Sequence, residues 1–287
     1  MGDTDPVMTR ALVLGGGGVA GIGWELGILQ GLADADIDVT DADLLVGTSA
    51  GSAVAAQLTS GFPLNQLYQR QLSADLLTSE INTSFDPEEL MREMGAAFAD
   101  NQPGPELFRA VGMYALRART VPESVRRPVI ERRLPSHDWP DRDLRIAAID
   151  AVSGKPRVFT SRDEVELVDA VTASCAVPGV WPPVTIQGSK YIDGGIRSGI
   201  NLDLAAGCDP IVVIAPMPEM PFIAPDVVAA AESVRAAARI VTINATEVSL
   251  GAMGTNPLDP TTAKPAAMAG RLQAAAHVEA VRAVWGA

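Results

Sequence analysis

An α/β fold, with a mostly parallel sheet covered by helices, is predicted by three features of the sequence. Residues 11–14 (Ala-Leu-Val-Leu) form a short apolar run that gives way to consecutive glycines and then to a helical pattern. Residues 44–46 (Leu-Leu-Val) repeat the arrangement, running into Gly47-Thr48-Ser49-Ala50-Gly51 and then into an alanine-rich stretch. Strand, helix, strand, helix in that order is the signature of parallel pairing with right-handed crossovers. A third wholly apolar run, Ile211–Ala215, reads as a further buried strand.

The remaining elements follow from pattern. After the first glycines, residues 22–35 place Leu26, Leu29, Leu32 and Ala33 at helical spacing, and a polar loop over 34–43 leads to the second strand. Residues 61–135 read as mostly helical and free of strands, cut by Phe62-Pro63, Asp86-Pro87 and the Gln-Pro-Gly-Pro at 102–105. Asp86-Pro87-Glu88-Glu89 has the cap, the first-turn proline and the first-turn acids of a helix start. These helices are expected to be flanking helices rather than a helical lobe over the site. Residues 143–150 and 156–161 read as a hairpin around Ser153-Gly154-Lys155. A helix over 165–175 and a proline-stiffened loop over 177–183 follow. Strands over 184–187 and 190–192 turn at Gly188-Ser189 and lead to Asp193-Gly194-Gly195. Residues 227–250 read as helical, 251–265 as a Gly/Pro/Thr-rich loop and 266–285 as a last helix. No repeat or linker divides the text. A single domain over 1–287 is expected, with a core at about 8–216 and a helical C-terminal part at about 226–287.

Composition bounds the function. Hydrophobic residues make up 47% of 287 residues and aromatics only 5%, so the core must be built from Ala, Val, Leu and Ile. A formal charge of -13 repels nucleic-acid phosphates and anionic membranes at long range, so no nucleic-acid partner is expected. Cys175 and Cys208 have no paired spacing and read as small buried hydrophobes in a reducing compartment. Residues 1–10 lack the apolar segment of a signal peptide, and no run reaches membrane-spanning length. A cytoplasmic location is expected, with peripheral membrane contact.

The chemistry gathers at Ser49. Gly47-Thr48-Ser49-Ala50-Gly51 between a strand and a helix fits a nucleophile elbow, in which Gly47 and Gly51 allow the turn to pack against neighbouring backbone. The helix that follows favours negative charge at the serine. The plainer reading is a small-residue turn with Ser49 as a helix cap. Gly16, Gly18 and Gly21 also fit a dinucleotide fingerprint, but that site wants an acid at the end of the second strand, and Asp41 and Asp43 precede it. Consecutive glycines serve equally as an oxyanion hole, with amides of Gly16, Gly17 and Gly18 converging beside Ser49. For the base, Asp193 ends a strand and is followed by glycines that allow close approach, although Asp-Gly is also a common turn. The histidines are His137, in a polar loop, and His277, in a helical stretch.

The Leu-Gly-Gly-Gly-Gly at 14–18, Gly47-Thr-Ser-Ala-Gly51 and Asp193-Gly-Gly195, in that order, resemble the patatin-like phospholipase family. The stretch from Ala173-Ser174-Cys175-Ala176-Val177-Pro178 through Trp181-Pro182-Pro183 resembles the segment before that family's Asp-Gly-Gly, and the likeness spans roughly 8–216. The resemblance implies a three-layer α/β/α sandwich and a Ser49–Asp193 dyad. It implies hydrolysis of lipid acyl esters through an acyl-enzyme, without metal or cofactor. It matches Gly16, Gly17 and Gly18 to the oxyanion loop. One place departs: Ala20 stands where the family commonly has Arg or Lys. Loss of that charge leads us to expect neutral esters to be cleaved at least as well as anionic phospholipids. Two other readings fit the residues: a non-catalytic lipid- or nucleotide-binding protein on the same fold, and an α/β-hydrolase with a Ser-His-Asp triad.

Overall fold

The computed structural model describes residues 9–75, 80–81, 87–219 and 223–286. Its centre is an eight-stranded sheet: β1 (Ala11–Leu14), β2 (Leu44–Thr48), β3 (Asp143–Asp150), β4 (Pro156–Phe159), β5 (Val184–Ile186), β6 (Ser189–Asp193), β7 (Ile211–Ala215) and β8 (Ile240–Asn244). The order is β5-β6-β3-β2-β1-β7-β8, with β4 paired to β3. β3, β2, β1, β7 and β8 run parallel, while β4, β5 and β6 join as antiparallel neighbours.

The register decides where the site forms. β2 occupies one edge of β3 as far as the Thr48–Ala147 pair. β6 takes over at the next residue, where Ala148 pairs with Asp193. β4 pairs with β3 across both stretches, so it lies on the opposite edge. Strands β2 and β6 therefore meet end to end, and their last residues bring the Ser49 turn and Asp193 together.

Helices cover both faces, which is why β1, β7 and β2 as far as Val46 are buried and continuously apolar rather than alternating. Leu12 and Leu14 pack toward α1 (Gly18–Ala33), α2 (Ala50–Leu58), α7 (Leu167–Ser174), α10 (Ala263–Ala274) and α11 (Val278–Trp285). Ala11 and Val13 pack the other way, with Val46, Ile211 and Val213, against Leu202, Ala205 and Val234 of α8 (Pro225–Ala237). Helices α3 (Leu64–Leu72), α4 (Pro87–Asp100), α5 (Pro105–Arg117) and α6 (Glu123–Arg133) fill the region expected to be helical. Among them, α5 buries Leu107, Phe108 and Val111 with Ile149 of β3 and Ile192 of β6. Helix α4 begins at Pro87 as expected, while Asp86 lies outside the described residues.

Helix α1 is buried on nearly every side because it is pressed onto α10. Gly23, Gly27 and Gly31 form a small-residue face one turn apart. An added methyl would meet the Ala263 carbonyl at Gly23 (2.5 Å), overlap the Ala267 carbonyl at Gly27 and meet the Ala274 Cβ at Gly31 (2.5 Å). The C-terminal helices thus share the core cluster of β1 and α1.

Three boundaries differ from expectation. Helix α1 starts at Gly18, so Gly18–Gly21 are helical rather than loop. The stretch 227–250 is split by β8, whose Ile240-Val241-Thr242-Ile243 favours a strand and pairs with β7. The last helix breaks at 275–277 into α10 and α11. A short helix, α9 (Glu247–Met253), precedes the loop that leads to α10.

Candidate active site

Ser49 stands at the end of β2 with φ 52° and ψ -115°, a conformation that costs a non-glycine residue of order 1–3 kcal/mol. Its backbone is held on all sides. The amide donates to Ser174 Oγ (2.9 Å). The carbonyl accepts from the Ser52 and Ala53 amides (3.0 and 3.4 Å), the Ser52 hydroxyl (2.7 Å) and the Cys175 thiol (3.2 Å). The flanking glycines are steric requirements. A methyl on Gly47 would lie 2.5 Å from Ser52 Cα, and one on Gly51 would overlap the Leu14 carbonyl. The Gly51 amide also donates to the Gly15 carbonyl at 2.9 Å, tying the elbow to the glycine loop. This is more than a helix cap: Ser49 makes no side-chain cap bond to α2.

Asp193 is buried with Ser49, at 5% and 7% exposure. Its amide donates to the Ala176 carbonyl (3.0 Å), and its carboxylate accepts the Gly195 amide (2.8 Å). Burial pushes the carboxyl up from 3.8 to about 6, against the lowering effect of the Gly195 amide and of a hydrogen bond from the Ser49 side chain. Gly194 cannot be larger, since a methyl there would overlap the Ala147 carbonyl. Asn201 locks the two halves together: its amide donates to Thr48 Oγ1 (3.0 Å) and to the Ser198 carbonyl (2.7 Å), and its oxygen accepts from Arg197 (2.5 Å).

The glycine loop lies beside the elbow, with a methyl on Gly16 reaching to 3.6 Å from Ser49 Cβ. Its amides are not equivalent. The Gly16 amide is committed to the Gly199 carbonyl at 2.9 Å, which corrects the expectation that three amides converge as free donors. Among the described residues, no backbone acceptor takes the amides of Gly17 or Gly18 at the start of α1, where orphan donors and the helix dipole both favour an anion. Gly18 lines the same pocket as Ser49. Side chains are excluded here too: a methyl on Gly17 would lie 2.6 Å from Pro216 Cβ, and Gly18 has φ +63°.

The acids that a dinucleotide site would need are engaged elsewhere. Asp41 pairs with Arg10 (2.8 Å), and Asp43 accepts the Arg10 amide (2.8 Å). His137 lies against the Glu131 carbonyl (3.0 Å) and His277 against Gln273 (3.3 Å). Neither lines the pockets that open on Ser49 and Asp193.

Two further parts were not evident from the sequence. An apolar trough of about 590 Å³ runs along α4, lined by Met91, Met94, Phe98, Val177, Pro178 and Ile196. Met94, Phe98, Val177, Pro178 and Ile196 also line the pocket that reaches Asp193, so trough and carboxylate communicate. Val177 also lines the Ser49 pocket, together with Arg126 and Arg133 of α6. Polar residues on a helix carry no motif, and only their place in the fold reveals them. Among the described residues, no group of three or more His, Cys, Asp or Glu is placed to hold a metal ion.

Residues 12–206, more than half of the chain, match the family model described as Patatin-like phospholipase. A curated relative, "Probable lipid hydrolase 463L" of Invertebrate iridescent virus 6, is 23% identical over 204 residues, covering 70% of this chain. The chain spans 64% of that relative's length. VipD from Legionella pneumophila aligns over 96% of this chain and 67% of its own, with TM-score 0.47 and 14% identity. The type III effector ExoU aligns over 96% of this chain and 53% of its own, with TM-score 0.41 and 16% identity.

Proposed function

The chain belongs to the patatin-like phospholipase family, and from that premise we propose that it is a serine acyl hydrolase that cleaves acyl esters of lipids with Ser49 and Asp193. The observation that carries this reading is the end-to-end meeting of β2 and β6, which buries a strained serine against a carboxylate of raised pKa. The Ser49 oxygen attacks the ester carbonyl as its proton passes to Asp193. The resulting oxyanion faces the amides of Gly17 and Gly18, which need no reorganisation to receive it. Collapse breaks the bond to the alcohol, which leaves with the proton from Asp193. Water then gives a proton to Asp193 and attacks the acyl-enzyme, and the proton returns to Ser49 as the carboxylic acid departs.

A carboxylate near its usual pKa is a weak base for a hydroxyl. Burial that lifts Asp193 to about 6 makes it a better one, while leaving it mostly ionised at pH 7. The alternative base, a histidine, is favoured by no contact of His137 or His277. The trough beside Asp193 supports a lipid substrate, since its walls are almost wholly apolar. Among the described residues, no helix is long and apolar enough to cross a membrane. In our reading the protein works in the cytoplasm and meets lipid at a membrane surface. Met91, which lines the trough and is 73% exposed, is placed for that contact.

The test is covalent labelling by a fluorophosphonate together with hydrolysis of medium-chain esters. Wild-type protein is expected to label at Ser49 and turn over. Ser49→Ala is expected to retain its melting temperature and under a few per cent of turnover. Residual activity well above that would remove Ser49 from the mechanism.

A further inference from the structure

The pocket in front of Ser49 holds a cation that ester cleavage as written above does not use. Arg126 and Arg133 both line that pocket, with Gly18, Ser49 and Trp181. They stand seven residues apart on α6, two turns, and so share a face. Arg133 is satisfied: its Nε and Nη2 hold both oxygens of Glu80 at 2.8–3.1 Å. The same carboxylate comes only within 4.0 Å of Arg126. Among the described residues, Nε and Nη1 of Arg126 have no hydrogen-bond acceptor, although its side chain is 4% exposed. Its guanidinium lies 3.6 Å from the centre of the Trp181 ring. Stacking on the ring leaves Nε and Nη1 without an acceptor among the described residues.

Two buried arginines thus face one carboxylate. A buried cation without its own anion is strongly unfavourable, and Arg133 adds like-charge repulsion. Even so, Arg126 falls only to about 9 and stays charged at neutral pH. A ligand that brings an oxyanion to the fork would remove both penalties, and a planar guanidinium is the side chain best shaped to hold a phosphate.

We propose that Arg126, backed by Arg133, is a subsite for a phosphate carried by the acyl substrate, close to the ester that Ser49 attacks. This rests on the hydrolase reading of Ser49. It divides the substrate about Val177, with the acyl chain along α4 and the phosphate against α6. It also reverses the expectation drawn from Ala20: the charge absent from the glycine loop is supplied by a helix distant in sequence. Acylglycerol phosphates have the required chemistry, and neutral acylglycerols lack it.

The experiment uses the full chain and two readouts. Calorimetric titration compares dodecyl phosphate with inorganic phosphate, in wild type, Arg126→Gln and Arg126→Lys. Steady-state kinetics compares lauroylglycerol phosphate with lauroylglycerol. Wild type is expected to bind dodecyl phosphate at least about tenfold more tightly than inorganic phosphate, and to prefer the phosphorylated ester by at least about tenfold in kcat/KM. Arg126→Gln should bring that preference toward one, while Arg126→Lys, which keeps the charge but loses the fork, keeps a reduced preference. Binding that depends on Arg126 in a protein without hydrolysis would uphold the subsite and sink the hydrolase reading. Hydrolysis with no preference for the phosphorylated ester would do the reverse. Equal affinity for inorganic phosphate, or dodecyl phosphate binding that survives Arg126→Gln unchanged, would overturn the proposal. Should Arg126→Gln fail to fold, the wild-type preference and the Arg126→Lys variant still decide.

Discussion

Around Ser49 nearly every position is fixed by how closely two backbones approach, whereas the wall raised by α4 and α6 is fixed by side chains. Gly47, Gly51 and Gly194 each sit where a methyl would strike main-chain atoms, and Gly17 where it would strike Pro216. Backbone cannot yield without moving a strand, so residue choice here is nearly forced. Along α4, Met94 and Phe98 form a surface that other apolar residues could form as well. On α6, Arg126 shares the Glu80 carboxylate with Arg133, and its Nε and Nη1 have no hydrogen-bond acceptor among the described residues, a property of its surroundings rather than of the helix. In the proposed mechanism the elbow holds the chemistry, and the wall determines what the chemistry acts on.

That contrast predicts a hierarchy of damage. Gly51→Ala should have the largest effect, because its methyl overlaps the Leu14 carbonyl and β1 or α2 must shift. A stability loss of roughly 3 kcal/mol or more is expected, read as a drop in urea midpoint or in soluble yield. A Gly51→Ala variant with wild-type stability would show that the elbow is not held by backbone contact. Gly17→Val comes next. It should turn away an oxyanion donor and cost about 3 kcal/mol in barrier, a hundredfold or more in turnover, with Ser49 still in place. Near-normal turnover would mean that the glycines serve only the turn.

Asp193→Asn should stabilise the fold while removing activity. The carboxyl is raised from 3.8 to about 6, so the stability it contributes is fully present below 3.8 and is lost as pH rises through 6. At pH 7 the ionised form costs up to about 3 kcal/mol, which asparagine avoids while still accepting the Gly195 amide. Urea melts at pH 7 and pH 4 check this: the gain should be largest at pH 7 and shrink toward pH 4. The smallest effect is expected on the wall. Phe98→Ser should lower kcat/KM about fivefold to tenfold on a dodecanoyl ester, with a loss that grows with chain length. A loss independent of chain length would remove the trough from the substrate's path.

The same contrast explains what the sequence disclosed. β1 and β7 are wholly buried apolar runs, as is β2 as far as Val46, so their pattern survives without tertiary context. The elbow and the Asp-Gly-Gly were legible because glycine is the only residue that fits such approaches. β8 was missed because alanine-rich text on both sides masked a strand at the end of the parallel set, although its β-branched residues were a usable signal. The commitment of the Gly16 amide could not be read, because its acceptor, Gly199, is far away in sequence. Ser174, Cys175 and Asn201 support the elbow through single long-range bonds that no spacing announces. No motif marks Arg126 and Arg133, and only the packing of α6 beside Ser49 and Trp181 brings them to the site.

In the proposed mechanism a carboxylate, and no histidine, activates Ser49. The most direct measurement is turnover on one short acyl ester by wild type, Asp193→Asn and the double variant His137→Ala/His277→Ala, each shown to be folded. The wild-type rate should rise with pH about a midpoint near 6, as Asp193 loses its proton. A histidine could give the same curve, so the variants decide. Asp193→Asn should lose at least about a hundredfold, and the double variant should stay within about threefold of wild type. A folded double-histidine variant without activity, beside an active Asp193→Asn, would contradict the account.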